Sequence, residues 1–345
     1  MKEPKTILAI RLDKLGDIVL SLPAFASLRK NFPKAKITAL VNKPFGEMLE
    51  FHGLADEAIE FDEGKNNGIA GKIAFLLGLS KRKFDFAIDL QHAKNDFSAL
   101  ALLFVKARAK AGYAIGFRRI AAKKAIGLAP EILYEKKHSL ALLKCLGLKV
   151  CETAHFKKNN AAGKKITAFL KGRWGKKNKI ICMHAGVSGD IAEKAWPKER
   201  FAALAERLSA ELGAKVFLTG TKKEDSLLDF ISEKSNGTAV KANCFSLNET
   251  IELLRNVDLF ITNNTGPMHI AIMLGKPTIV LNAFSNPKRW VPKKKNVKML
   301  VKKIGCWPCE TGKPINCRNE FECVRGVSVQ KVFEIAKAIL EEKGN

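Results

Sequence analysis

Ile7-Leu8-Ala9-Ile10-Arg11-Leu12-Asp13-Lys14-Leu15-Gly16-Asp17 passes from four unbroken apolar residues into a charged loop with a single glycine, and then into a helical pattern. An apolar run without alternation suits a strand buried on both faces, the condition of a parallel sheet covered by helices. The same grammar recurs downstream. Apolar runs at 36–41, 57–62, 85–90 and 111–117 read as strands, separated by helical patterns at 17–31, 44–51, 69–79 and 96–105. A helix over 135–146, with Gly147 just past its end as a stop signal, completes an open α/β sheet of doubly wound type.

A lysine- and glycine-rich stretch at 157–179 interrupts this alternation, which then restarts. Strands are expected at 180–184, 215–219, 238–241, 258–262 and 277–282, with helices at 197–212, 223–235, 247–256 and 267–274. Ser246 and Glu249 form a capping box that fixes one helix start. A chain of 345 residues exceeds what one core usually supports. The reading is therefore an amino-terminal domain over 1–160 and a carboxyl-terminal domain over 178–327. The amphipathic segment 328–345 is expected to pack back across their junction.

Lys and Arg number 60 against 34 Asp and Glu, a formal charge of +26. Such an excess attracts nucleic acid, anionic lipid or a phosphorylated substrate, unless it is simply a solvated lysine-rich surface. The first residues lead straight into a strand rather than a cleavable apolar helix, and no run approaches the ~18–20 apolar residues of a membrane span. The expectation is a cytoplasmic protein whose membrane contact, if any, is peripheral. The hydrophobic content of 47% excludes a disordered chain.

In an open α/β sheet, ligands bind beyond the carboxyl ends of the strands, so the loop Arg11–Asp17 points Arg11, Asp13 and Lys14 at whatever is bound. A dinucleotide fingerprint needs three glycines in G-x-G-x-x-G. Only Gly16 is present, which argues against a nicotinamide enzyme. Asp17 is either a helix cap or, fixed at the mouth of a cleft, a general base. In the second half, Gly186 and Ser188 sit in a small-residue loop that lets backbone N–H groups approach phosphate, and Lys194 precedes a helix opened by Pro197. Glu224 follows the next strand, where a carboxylate can accept from ribose hydroxyls. Thr262-Asn263-Asn264-Thr265-Gly266-Pro267-Met268-His269 delivers small polar residues to a proline-started helix, an anion site by construction.

These ordered blocks resemble the family 9 glycosyltransferases, the ADP-heptose:lipopolysaccharide heptosyltransferases and their relatives. The blocks are Arg11–Asp17 with Pro23, Lys194-Ala195-Trp196-Pro197, Gly220 with Glu224, and Thr265-Gly266-Pro267-Met268-His269. The resemblance implies a GT-B architecture, two doubly wound parallel-sheet domains facing a central cleft. It implies inverting transfer of a heptose from a nucleotide diphosphate donor to a sugar hydroxyl, with no cofactor required. By the same resemblance Asp17 is the general base, Lys194 touches the donor diphosphate, Glu224 holds the ribose, and Phe245 packs on adenine. Asn264, Thr265, Gly266, Met268 and His269 join them around the donor. The family usually has aspartate where this chain has Asn264, and the loop from Gly186 to Lys194 is longer than in the best-known members. Arg118 and Arg119, with Lys123 and Lys124, are placed to attract an anionic, lipid-linked acceptor at the membrane surface.

Cys306, Cys309, Cys317 and Cys323 follow a C-x2-C-x7-C-x5-C pattern. Structural zinc is one reading, with free thiols, an iron–sulfur cluster or disulfides as the others. The competing functional readings are a GT-B transferase or epimerase using a UDP- or GDP-sugar, and a basic nucleic-acid-binding protein suggested by the lysine run through 288–303. Against the latter, aromatic residues are not interleaved with the basic ones, so no nucleic acid partner is expected.

Overall fold

The computed structural model describes residues 3–122, 124–127, 134–171, 178–187, 192–242, 244–309 and 317–342. The chain divides into two compact units, Met1–Lys157 and Lys158–Asn345.

Among the described residues each unit holds one six-stranded parallel sheet. The first contains β1 (Thr6–Arg11), β2 (Lys36–Asn42), β3 (Glu57–Phe61), β4 (Lys83–Asp89), β5 (Lys106–Tyr113) and β6 (Lys124–Ile126), in the order β3-β2-β1-β4-β5-β6. The second contains β7 (Ile180–His184), β8 (Lys215–Leu218), β9 (Ala239–Lys241), β10 (Leu259–Asn263), β11 (Thr278–Leu281) and β12 (Val297–Leu300), in the order β12-β11-β10-β7-β8-β9. Both orders reverse direction beside their first strand. The switch points fall between β1 and β4 and between β7 and β10, where doubly wound sheets open a crevice at the strands' carboxyl ends.

The central strands follow the apolar runs closely, because burial on both faces leaves no room for polar residues. The differences lie at the sheet edges. Two edge strands, β6 and β12, are additional to the expected ones, and β5, next to the edge, spans Lys106–Tyr113 rather than 111–117. Each of the two edge strands carries a lysine, Lys124 and Lys298, in keeping with the way edge strands avoid pairing with other chains. The run through Lys293 to Lys303 is therefore in part a sheet edge, with Lys298 exposed on β12.

Gly147 adopts φ +78°, and the Leu148 N–H reaches back to Leu143 O, closing the helix Glu135–Cys145 as its stop signal. The Ser246–Glu249 capping box is formed in both directions. The helix Asn160–Lys171, in the stretch read from sequence as the boundary, belongs to the second unit. Asn159 N–H donates to Glu252 Oε1 at 3.0 Å and Lys165 pairs with Glu249 at 2.7 Å, holding it on the helix Leu247–Arg255. The last helix, Val329–Glu341, buries Val332, Phe333, Ala336 and Leu340 in the second unit's own core against the helix Lys198–Leu212.

Candidate active site

At the switch point of the first unit, β1 ends in Arg11, which is 3% exposed and acts as a hub. Its guanidinium donates to Leu90 O at 3.0 Å and lies 3.2 Å from Asp13, 3.3 Å from Asp17 and 3.5 Å from Glu135. Asp17 is the third residue of the helix Leu15–Asn31, whose N-cap position is Lys14. It is the acidic residue of the helix's first turn, not its N-cap. It turns back toward Arg11 and is held, half-buried, at the carboxyl end of the sheet.

Glu135 links this hub to two histidines that the sequence reading had not singled out. His92 follows β4, and its Nδ1 lies 3.0 Å from Glu135 Oε1. The rings of His92 and His138 stack 3.8 Å apart and 3° from parallel. Among the described residues, these three are the one group whose ligand-type atoms all lie within 4.8 Å of one another. Metal ligands must converge on one ion, whereas stacked parallel imidazoles send their in-plane lone pairs along parallel planes. The Arg11 guanidinium beside the same carboxylate opposes a second cation. The cluster buttresses Arg11.

Two of the five residues expected at an acceptor are consumed inside the protein. Arg11 is buried in the hub, and Arg118 is fully buried, 3.2 Å from Asp89 and donating to the carbonyls of Gln91 and Ala93. Burial raises the Asp89 pKa while Arg118 pulls it down, as in a desolvated ion pair. Arg118 thus fastens the loop after β4 and is not presented to a substrate. Lys14 and Arg119 are exposed, and Asp13 is partly so beside Arg11.

In the second unit, β7 delivers His184, Ala185 and Gly186, and β10 delivers Asn263 to Gly266. One side chain ties these ends together. Asn263 Oδ1 accepts from Trp196 N–H at 3.0 Å and its amide donates to Ala185 O at 2.7 Å. Trp196 is 1% exposed and its indole donates to Val327 O at 2.8 Å, so Lys194, two residues earlier and half-buried, is set by a rigid anchor.

Glu224 ends a short 3-10 turn after β8. Its Oε2 accepts from Thr221 N–H at 2.7 Å and from the Thr221 hydroxyl at 3.0 Å. Its Oε1 stands 3.9 Å from His184 Nε2 and so close to Gly186 that any side chain there would have to displace the carboxylate. Burial lowers the His184 pKa, opposed by the Glu224 carboxylate. The bare Cα of Gly186 is what leaves room for this approach. Ser188, like Lys123, lies outside the described residues.

Thr265 is the N-cap of the helix Gly266–Met273, and its side chain makes no cap hydrogen bond to the first turn. Met268 does not face a ligand: it is fully buried with Ile272, Val280 and Val291, since helical geometry turns that position to the core. His269 is 5% exposed and burial takes its pKa down to about 4, so at neutral pH it is an uncharged ring 6.3 Å from Trp290. Asn264 donates to Asn282 Oδ1 at 2.7 Å, while the Asn282 amide donates to Ser285 O at 2.9 Å. Position 264 is therefore required to donate, which asparagine does and an ionised aspartate cannot. Phe245 is half-buried against Phe169, ring centres 5.0 Å apart, with the Lys165 ammonium 5.6 Å from its own.

The four clustered cysteines share one neighbourhood. Burial, then the charges of Cys306 and Cys317, raise the Cys309 pKa, and burial takes Cys323 up to about 11. Asn319 donates to Cys306 Sγ at 3.2 Å and Phe321 N–H to Cys317 Sγ at 3.3 Å, contacts of the kind that support thiolate ligands. No three of these sulfurs meet the 4.8 Å spacing that His92, Glu135 and His138 do.

Residues 73–317 match the profile of glycosyltransferase family 9 (heptosyltransferase). The chain is 26% identical over 340 residues to lipooligosaccharide heptosyltransferase 2 of Campylobacter jejuni, covering 95% of this chain and 96% of that one. Among solved structures, a family 9 glycosyl transferase from Veillonella parvula superposes with a TM-score of 0.83 at 23% identity, covering 99% of each chain. The ADP-heptose lipopolysaccharide heptosyltransferase II of E. coli gives 0.79 at 19% identity over 99% of this chain and 100% of that one. These neighbours share the GT-B fold. No helix of the described residues is long and apolar enough to cross a membrane.

Proposed function

This chain belongs to glycosyltransferase family 9, and from that premise we propose that it transfers a heptose or closely related sugar, with inversion, from an ADP-linked donor to a hydroxyl of an anionic lipopolysaccharide-core acceptor. The acceptor would be met at the cytoplasmic face of a membrane, by peripheral contact. Asp17 takes the proton of the acceptor hydroxyl as its oxygen attacks the anomeric carbon. The bond from that carbon to the diphosphate oxygen breaks, and the electron pair leaves with ADP. Lys194 and the N–H groups at the start of the helix Gly266–Met273 meet the charge that grows on the diphosphate, a kind of contribution worth roughly 3 kcal/mol for a well-placed donor. Glu224 receives the ribose hydroxyls and Phe245 the adenine face.

The observation that carries this reading is Asp17: a half-buried carboxylate in the first turn of a helix, 3.3 Å from the Arg11 guanidinium at the switch point of the sheet. Asp17→Asn should abolish turnover while ADP binding, read by calorimetry, stays at the wild-type level; retained turnover removes Asp17 from the chemistry. Titrating UDP and GDP beside ADP separates the alternative donors. Cys306, Cys309, Cys317 and Cys323 would serve structure alone and are the residues that would hold a zinc ion, which requires their sulfurs to draw closer than the spacing described above. Elemental analysis of the wild type against Cys306→Ser checks this.

A further inference from the structure

Among the described residues, large apolar side chains are exposed only in the first unit, and three of them lie on one helix, Gly68–Ser80: Ile69 is 79% exposed, Ile73 50% and Leu77 52%. Spaced four residues apart, they form a single stripe. The adjoining face of the helix is already employed, since Leu76 and Leu79 are buried in the core with Phe61, Phe84 and Leu102. An apolar arc this wide is normally covered across its whole breadth. Here one side is open.

The charge around the stripe says what covers it. From 64 to 84 the sequence holds five basic residues and no acidic one; of the acids that bound this stretch, Asp62 is paired with Lys43 and Asp85 with Arg108, and Glu63 is exposed. Arg82 is tied to Glu57, while Lys65, Lys72, Lys81 and Lys83 are exposed. We propose that this face docks on an anionic lipid bilayer, the helix lying in the interface plane with Ile69, Ile73 and Leu77 among the acyl chains and the four lysines at the headgroup phosphates. Thirteen residues span about 20 Å along the axis, too short to cross a bilayer and sufficient to lie on one. A second copy would bring a chain of +26 against the same lysines. A nucleic acid would engage the lysines and leave the apolar stripe in water.

This deepens the membrane contact proposed above by naming the surface, and it is read without donor, acceptor or turnover, so its failure leaves the catalytic reading standing. The full chain is floated with vesicles of phosphatidylcholine alone and of phosphatidylcholine mixed with phosphatidylglycerol. The wild type should bind the mixed vesicles. Combining Ile69→Ser, Ile73→Ser and Leu77→Ser, at unchanged net charge, should lower partitioning at least about tenfold with the melting temperature retained. Exchanging the four lysines for glutamine should remove the preference for the anionic vesicles. Ile73→Trp should shift its fluorescence to the blue on vesicle addition. Absence of wild-type binding, equal binding to both vesicles, binding unchanged by the triple exchange, an unshifted tryptophan, or a dimer that the triple exchange dissociates would each overturn the proposal.

Discussion

A single methyl group tests the second half-site. A Cβ placed on Gly186 would lie 1.5 Å from Glu224 Oε1, 2.5 Å from its carboxyl carbon and 3.2 Å from His184 Nε2. Ordinary contacts are near ~3.5 Å, so Gly186→Ala must displace the carboxylate by roughly 2 Å. Glu224 cannot move that far while its other oxygen holds the Thr221 N–H and hydroxyl, at 2.7 and 3.0 Å. Losing both, at about 1 kcal/mol each and less for so exposed a threonine, predicts about 1–2 kcal/mol of destabilisation, a few degrees in the melting temperature of a unit this size. Gly186 does not sit in the left-handed region, so alanine adds no backbone strain to confuse the result. If Glu224 holds the ribose, ADP affinity in a calorimetric titration should fall about tenfold in the same variant. The decisive comparison is the double variant. With Glu224→Ala in place the methyl has room, and Gly186→Ala should then cost little in stability or affinity. Two costs that simply add, or a Gly186→Ala protein that melts and binds like the wild type, would refute the arrangement.

Three further outcomes follow from buried polar groups. Arg118→Ala strips the partner from a fully buried Asp89 and should cost about 3–5 kcal/mol in urea denaturation; unchanged stability with a raised acceptor KM would instead make Arg118 a substrate contact. His269 has a folded pKa of about 4 against an ordinary 6.5, so between those values the unfolded chain binds a proton that the folded chain does not. Its contribution is whole above pH ~6.5 and falls by roughly 3 kcal/mol as the pH drops through that window, which the difference in unfolding free energy between wild type and His269→Gln should trace. A flat difference rules it out. Asn264→Asp sets a carboxylate against the Asn282 carbonyl oxygen or forces that amide off Ser285 O, and should destabilise by about 1–2 kcal/mol at neutral pH. No loss on denaturation would show that Asn282 turns without cost.

The sequence made the sheet centres legible because a strand buried on both faces can be written only in apolar residues, as in β1, β7 and β10. It hid the edges β6 and β12, where lysines satisfy solubility and erase the pattern. For the candidate site, Gly186 and Glu224 were readable as a turn and an acid after successive strands. Their mutual contact was not, since it depends on the register of β7 against β8. Arg118 and Arg119 look alike in sequence, yet one is sealed against Asp89 and the other is exposed, a distinction made entirely by a residue about thirty positions earlier. Met268 belongs to the motif but faces the core. Glu135 and His138 lie one turn apart on the helix Glu135–Cys145, and His92, more than forty positions earlier, meets them only because the strand ends converge on Arg11.

The Asn263 amide fastens Ala185 with its nitrogen and Trp196 with its oxygen. The chain leaving β7 and the chain entering the following helix are therefore drawn to one point, like the two ends of a purse string. Whatever is inserted or removed between them changes the size of the loop without shifting either knot. Asn263→Ala is the change that would let the string slip.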